Sequence, residues 1–182
     1  ETALLDLLCN ASNVDIYTLL DREPARESLI YGGTVPMLPP EAARRLIQQY
    51  TQMGISNLRL KIGKDIGFNR ELVSSAREEL GDRFDLRVDA NGAWEVEEAL
   101  ENLAMLSEYG ITIVEEPFGR DESKMLRCLE DKRSRGFTFV ADESILSAAD
   151  LENIAGARTY SMINIRLSKN GGLLRSLEID EK

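Results

Sequence analysis

The sequence predicts an α/β fold, a TIM-type (β/α) barrel incomplete at about six βα units, on three observations. First, short β-branched or aromatic runs alternate with longer amphipathic ones, which implies parallel strands joined by right-handed crossovers. Second, five successive runs end on a charged residue, Lys61, Asp89, Glu115, Asp142 and Arg166, at spacings of 28, 26, 27 and 24 residues. One structural spot therefore recurs, and in a barrel the five copies lie around the rim formed by the C-terminal ends of the strands, where barrel enzymes place their sites. Third, the strands are two-faced under their period of two. Arg59 and Lys61 share a face, as do Asp85, Arg87 and Asp89, and as do Asn164 and Arg166. The opposite faces carry Leu58, Leu60 and Ile62, then Leu86 and Val88, then Ile163, Ile165 and Leu167. Apolar faces are expected to meet outer helices while polar faces point inward.

The elements follow in order. A helix over 1–11 precedes a strand at 28–34. Pro39-Pro40 opens a helix at 41–53, closed by Gly54. Strand 56–62 leads to helix 68–80 and Gly81. Strand 84–89 leads to helix 95–109, strand 111–115 to helix 121–135, strand 137–142 to helix 147–155, and strand 160–166 to helix 172–179. Gly110, Gly136 and Gly156 stand at helix ends, where left-handed caps favour glycine. An open doubly wound nucleotide-binding sheet is the rival arrangement, but it needs a Gly-rich phosphate loop after its first strand. Gly32-Gly33 falls inside the predicted strand, and Gly171-Gly172 comes only after the sixth.

With 182 residues the chain is long enough for one domain with its own core, and 43% hydrophobic and 30% charged residues are ordinary for a globular protein. A net charge of −10 disfavours nucleic acid and anionic membranes as partners. No apolar run is long enough to span a bilayer. The opening ETALLDLLCNAS has neither a basic leader nor an initiating Met. The missing Met reads as a processed or partial chain, and the two widely separated cysteines, Cys9 and Cys128, read as reduced thiols of a cytoplasmic protein. There is no histidine, which removes the commonest general base and all histidine metal sites. Catalysis would have to run on Lys, Asp, Glu, Arg or Tyr.

Three carboxylates at successive strand ends make a hard, oxygen-rich site suited to Mg²⁺, with Mn²⁺ as the alternative. A lysine one strand earlier points to the same place. This pairing suits removal of a proton α to a carboxylate, which needs a cation to neutralise the developing charge and an amine base whose pKa the cation depresses. Glu116 and Glu143 stand beside the candidate ligands and compete for the assignment. Trp94, Met105, Met125 and Met162 read as core, and Asp82-Arg83 and the Glu95–Glu101 charges as solvated faces. Gly171-Gly172 is either a plain turn or part of an anion site at a helix N-terminus.

RLKIG, VDANGAW, VEEP, ADES and INIRLSKNGG, in this order and at these spacings, resemble the muconate-lactonizing branch of the enolase superfamily, within its mandelate racemase and muconate lactonizing enzyme family. The resemblance implies that Asp89, Glu115 and Asp142 are magnesium ligands, that Lys61 is the acid/base, and that Arg59 holds the substrate carboxylate. Asn91 and Glu143 match positions that support the metal site. It implies a metal-stabilised enolate in a cycloisomerase or dehydratase acting on a small-molecule carboxylate, with racemase or epimerase chemistry on a dipeptide or N-acyl amino acid as the alternative. It also implies a homo-oligomer in full-length form. Two departures qualify it. Arg166 stands where the family has a second catalytic lysine, which favours one-base chemistry because arginine is a poor base. Lys169, three residues on, is placed by strand parity on the other face or in the following loop. The family's capping domain and last barrel units have no counterpart here, so residues 1–182 read as a partial barrel catalytic domain with open edges at its first and sixth strands. The rival from another class is a non-catalytic barrel fragment that keeps the metal site.

Overall fold

The computed structural model describes residues 1–24, 26–81, 85–120, 125–129, 132, 136–155 and 160–182. Six parallel strands hydrogen-bond in chain order: β1 (Gly32–Val35), β2 (Asn57–Lys61), β3 (Asp85–Asp89), β4 (Ile113–Glu115), β5 (Thr138–Ala141) and β6 (Tyr160–Ile163). The helices are α1 (Thr2–Ser12), α2 (Ile16–Leu19), α3 (Pro40–Gln52), α4 (Ile66–Leu80), α5 (Val96–Glu108), α6 (Ala148–Ala155) and α7 (Leu173–Asp180), with a 3₁₀ helix at Met125–Leu129. This is the wall of a (β/α) barrel left incomplete, with β1 and β6 as its two edges.

The register explains the two-faced strands. Val35, Leu60, Val88, Val114 and Phe139 form one lateral row and are all fully buried. They pack against the apolar stripes of the helices, among them Ala43 and Ile47 of α3, Leu72, Val73 and Ala76 of α4, and Ala99, Leu103 and Leu106 of α5. The opposite face carries the row Thr34, Arg59, Arg87, Ile113 and Thr138, and above it the row Lys61, Asp89, Glu115 and Val140. Polar residues on that concave face line a cavity of about 230 Å³ beside Gly32, Asn57, Arg59, Arg87, Asn164 and Arg166.

Several expectations are corrected. The first strand begins at Gly32, not 28, and Leu29, Ile30 and Tyr31 are largely exposed. Pairing starts where the glycines let β1 close on its neighbours: a Cβ on Gly33 would lie 2.8 Å from Leu58 and 2.9 Å from the Tyr50 ring. The short α2 has no periodic pattern to announce it and rests on Asp15, whose carboxylate caps the Thr18 amide at 2.7 Å. Within 121–135, Met125–Leu129 form a 3₁₀ helix and Lys132 is α-helical, and the rest of that predicted helix lies outside the described residues, as do Asp82-Arg83 and Gly156. The sixth strand ends at Ile163, and Met162 is half-exposed rather than core. Trp94 and Met105 are buried as expected. Among the described residues, no helix is long and apolar enough to cross a membrane.

The loop after β2 is held by a buried amide network. Asn69 accepts from the Gly63 amide (3.0 Å) and donates to the Gly63 carbonyl (2.7 Å) and to Asn102 Oδ1 (2.8 Å). The Trp94 indole donates to the same Gly63 carbonyl at 2.8 Å. Asn69→Ala strands a buried backbone amide and the Asn102 carbonyl, so unfolding stability should drop by about 2–4 kcal/mol in urea titration, whereas truncating the exposed Glu97 should change it by less than about 0.5 kcal/mol.

Candidate functional site

Asp89 closes β3, Glu115 closes β4, and Asp142 follows β5 by one residue. All three are at most 1% exposed, and one carboxylate oxygen from each lies within 4.8 Å of the others. Asp142 joins the row because Val140 pairs with Glu115 and the residue two further on keeps the same face.

Four cations surround these anions. Arg59 donates to Glu115 Oε1 at 2.6 Å and stands 3.6 Å from Asp89. Lys61 donates to Asp89 Oδ2 at 2.6 Å and also reaches Asn91 Oδ1. Arg166 lies 2.8 Å from Asp142 Oδ2 and 3.2 Å from Glu143 Oε1. Lys169 donates to Asp142 Oδ1 at 2.7 Å. Asn91 donates its amide N–H to Asp89 Oδ1 (2.9 Å) and its side chain to Glu143 Oε1 (3.1 Å), from a left-handed backbone at φ 47°. Asn164 donates to Glu115 Oε1 at 3.0 Å.

The electrostatics follow from burial and partners. Burial, with repulsion from Asp89, raises the Glu115 carboxyl above its ordinary pKa despite Arg59 and Asn164. Burial also pushes Asp142 upward, but hydrogen bonding and charge from Lys169, with help from Arg166, outweigh it and hold the group below its ordinary value. Burial works against the Arg59 cation, yet Glu115 and Asp89 prevail and raise its pKa.

Glu116 does not compete for the cluster. Its backbone turns at φ 38°, and its side chain runs beneath the site, accepting from the Asp142 amide at 2.6 Å and from the Ser144 hydroxyl. Glu143 lies at the rim, and its Oε2 is buried with no hydrogen-bond partner among the described residues. At α7, the Glu1 carboxylate accepts from the Leu173 and Leu174 amides beyond Gly171-Gly172, so a side chain of this chain occupies that helix start.

Of the residues the sequence nominates, Lys61, Asp89, Asn91, Glu115, Asp142, Glu143, Arg59 and Arg166 all converge here. Two others were underrated. Lys169 lies in the loop after β6, one of the two places the sequence allowed it, and faces the cluster because β6 ends at Ile163 and the chain then turns, with the Lys169 and Asn170 amides bonded to the Arg166 carbonyl at 3.0 and 2.9 Å. On such a turn residues three apart sit side by side, and strand alternation no longer applies. Asn164 was legible only as a polar inward position.

A wall of parallel strands with a carboxylate cluster at its C-terminal rim is the arrangement of (β/α) barrel enzyme domains. The sequence profile of the enolase C-terminal domain-like family matches residues 41–181, and the chain belongs to that family. It is 28% identical over 181 residues to the hydrophobic dipeptide epimerase of Enterococcus faecalis, covering all of this chain and 50% of that protein. The crystal structure of a dipeptide epimerase from that organism, complexed with Mg and the dipeptide L-Leu-L-Tyr, superposes with a TM-score of 0.86 at 28% identity, over 97% of this chain and 49% of that one. The structure of muconate lactonizing enzyme superposes equally well, with a TM-score of 0.86 at 25% identity, over 98% and 49% of the two chains. An o-succinylbenzoate synthase of Thermobifida fusca is 26% identical over 162 residues, covering 87% of this chain and 49% of that protein. The chain spans about half the length of these curated relatives.

Glu116→Ala should leave the Asp142 amide and Ser144 hydroxyl without their acceptor. Hydrogen exchange at the Asp142 amide should then accelerate by roughly tenfold or more while amides of α4 keep their protection. Unchanged exchange at Asp142 would show that Glu116 does not hold this turn.

Proposed function

We propose that this chain carries the metal and proton-transfer half of an enzyme that abstracts a proton α to a carboxylate. The observation that carries the reading is the convergence of three buried carboxylates with the Lys61 amine 2.6 Å from one of them. The residues fit a hard divalent cation. The donor set is all oxygen, burial raises the Glu115 pKa, and Glu143 Oε2 is a buried oxygen in want of a positive partner. Asp89, Glu115 and Asp142 would hold Mg²⁺, with Mn²⁺ as a substitute, and Asn91 and Glu143 would support them. The ion would supply charge neutralisation for the carboxylate and its developing enolate.

The chain's own residues then divide the work. Lys61 takes the α-proton on its amine. Arg59 orients the substrate carboxylate through its guanidinium, and Arg166 adds positive charge on the opposite side of the site. An arginine at 166 does not return a proton to the far face of the carbon, so lactone formation or syn elimination from one face is the primary reading. Epimerisation is the second reading, favoured by relatives whose names are epimerases, among them the L-Ala-D/L-amino acid epimerase of Populus trichocarpa at 31% identity, of which this chain covers 43%. It would need a second acid/base beyond Arg166. Small-molecule carboxylates, dipeptides included, are the substrate class.

Calorimetry should detect Mg²⁺ binding, and Asp89→Asn should weaken it on the order of 100-fold. In deuterated water, a panel of dipeptides and 2-substituted carboxylates should reveal metal-dependent α-proton exchange. Lys61→Ala should slow that exchange by on the order of 10²- to 10⁴-fold with Mg²⁺ affinity nearly retained. Metal binding without exchange of any substrate, in a protein that includes the remaining barrel, would favour the non-catalytic alternative. Deuterated product should keep a single configuration, and wash-in to both enantiomers would establish epimerisation instead.

A further inference from the structure

Lys169 and Arg166 hold the same carboxylate in different ways. An ammonium has three protons to donate. Lys169 spends all three inside the protein, on Asp142 Oδ1 (2.7 Å), on the Asn164 carbonyl (2.9 Å) and on the Asp142 carbonyl. Its side chain is 10% exposed, against 43% for Arg166. Arg166 makes one contact to the buried Asp142 Oδ2 and one to the half-exposed Glu143, reaching both from the solvent side of the site. The carbonyls that Lys169 binds belong to the two chain segments leaving β5 and β6, whose pairing is irregular at Phe139/Val140 and continues beyond the strands through the Asn164 amide to the Ala141 carbonyl at 2.8 Å. One buried cation thus ties the two strand ends together and fixes the rotamer of Asp142.

We propose that Lys169 is a positioning residue of the carboxylate cluster, holding Asp142 in place for a divalent cation, and that Arg166 is the cation free to leave that carboxylate for substrate. The inference rests on the divalent-metal reading of the cluster. A saturated ammonium buried between two loops is not placed to exchange protons with a substrate, so Lys169 does not supply the base missing at 166.

The sign of one measurement separates positioning from simple charge pairing. By Coulomb's law alone, removing a positive charge beside Asp142 should tighten binding of a divalent cation. If Lys169 instead orients the ligand, its loss should loosen binding. The test is titration of the purified chain with Mg²⁺ by calorimetry and with Mn²⁺ by electron paramagnetic resonance. For Lys169→Met the dissociation constant should rise about 10- to 100-fold, while Arg166→Met should alter it by less than about threefold or lower it. An unchanged or lower constant for Lys169→Met overturns the proposal, as does an equal rise for Arg166→Met. A fall in melting temperature with metal affinity intact would assign Lys169 a structural role only and also overturn it. If Lys169→Met does not fold, Lys169→Gln, which keeps a donor but not the charge, is titrated instead, and an unchanged or lower dissociation constant for it overturns the proposal. Failure of the unaltered chain to bind either ion would overturn the metal reading itself, whereas binding that Lys169→Met leaves intact would overturn this inference alone.

Discussion

Three carboxylates that are almost fully withdrawn from water repel one another, and the protein has to supply positive charge and hydrogen-bond donors to keep them together. The rest of the site follows from that requirement. Arg59 and Lys61 project from alternate positions of β2, Asn91 returns its amide to Asp89, Asn164 reaches Glu115, and Arg166 and Lys169 divide the two oxygens of Asp142. A divalent cation would satisfy the same requirement in a smaller volume and release Arg59, Lys61 and Arg166 for other work.

Holding such a cluster demands strand ends that do not fray. The structure meets this with hydrogen bonds that continue the pairing of β2 to β6: Ile62 to the Asp89 carbonyl, Ala90 to Glu115, Glu116 to Val140 and Asn164 to Ala141, all at 2.8–3.1 Å. Buried polar side chains then fix the loops above. Asn69 and Trp94 clamp Gly63 behind Lys61, and Glu116 clamps the turn that carries Asp142. Polar groups at these depths are costly unless satisfied, so each loop has one conformation that closes its network.

The relatives divide between epimerases, a synthase and a lactonizing enzyme on one fold, so the fold alone does not select the reaction. The selection lies in side chains such as Arg166. A guanidinium there stabilises negative charge without offering a lone pair, and the nearby amine of Lys169 is fully engaged by three oxygens.

Most of the strand–helix order and the carboxylate row were legible in the sequence. Hydrophobic periodicity is a local property, and a charged residue closing each strand at a near-constant interval is visible without coordinates. Asp89, Glu115, Asp142 and Lys61 could be nominated on that basis. What periodicity does not encode is where a strand stops. Whether β1 takes in Leu29–Tyr31 depended on how closely Gly33 could approach Tyr50 and Leu58, and whether parity still applied at Lys169 depended on a turn beginning three residues after β6 ends. The division of labour between Glu115 and Glu116 likewise turned on one left-handed residue that sends neighbouring side chains to different partners. The sequence by itself determined which residue types converge and on which face. Only the tertiary structure decided which cation each carboxylate keeps, because that choice depends on distances between loops far apart in the chain.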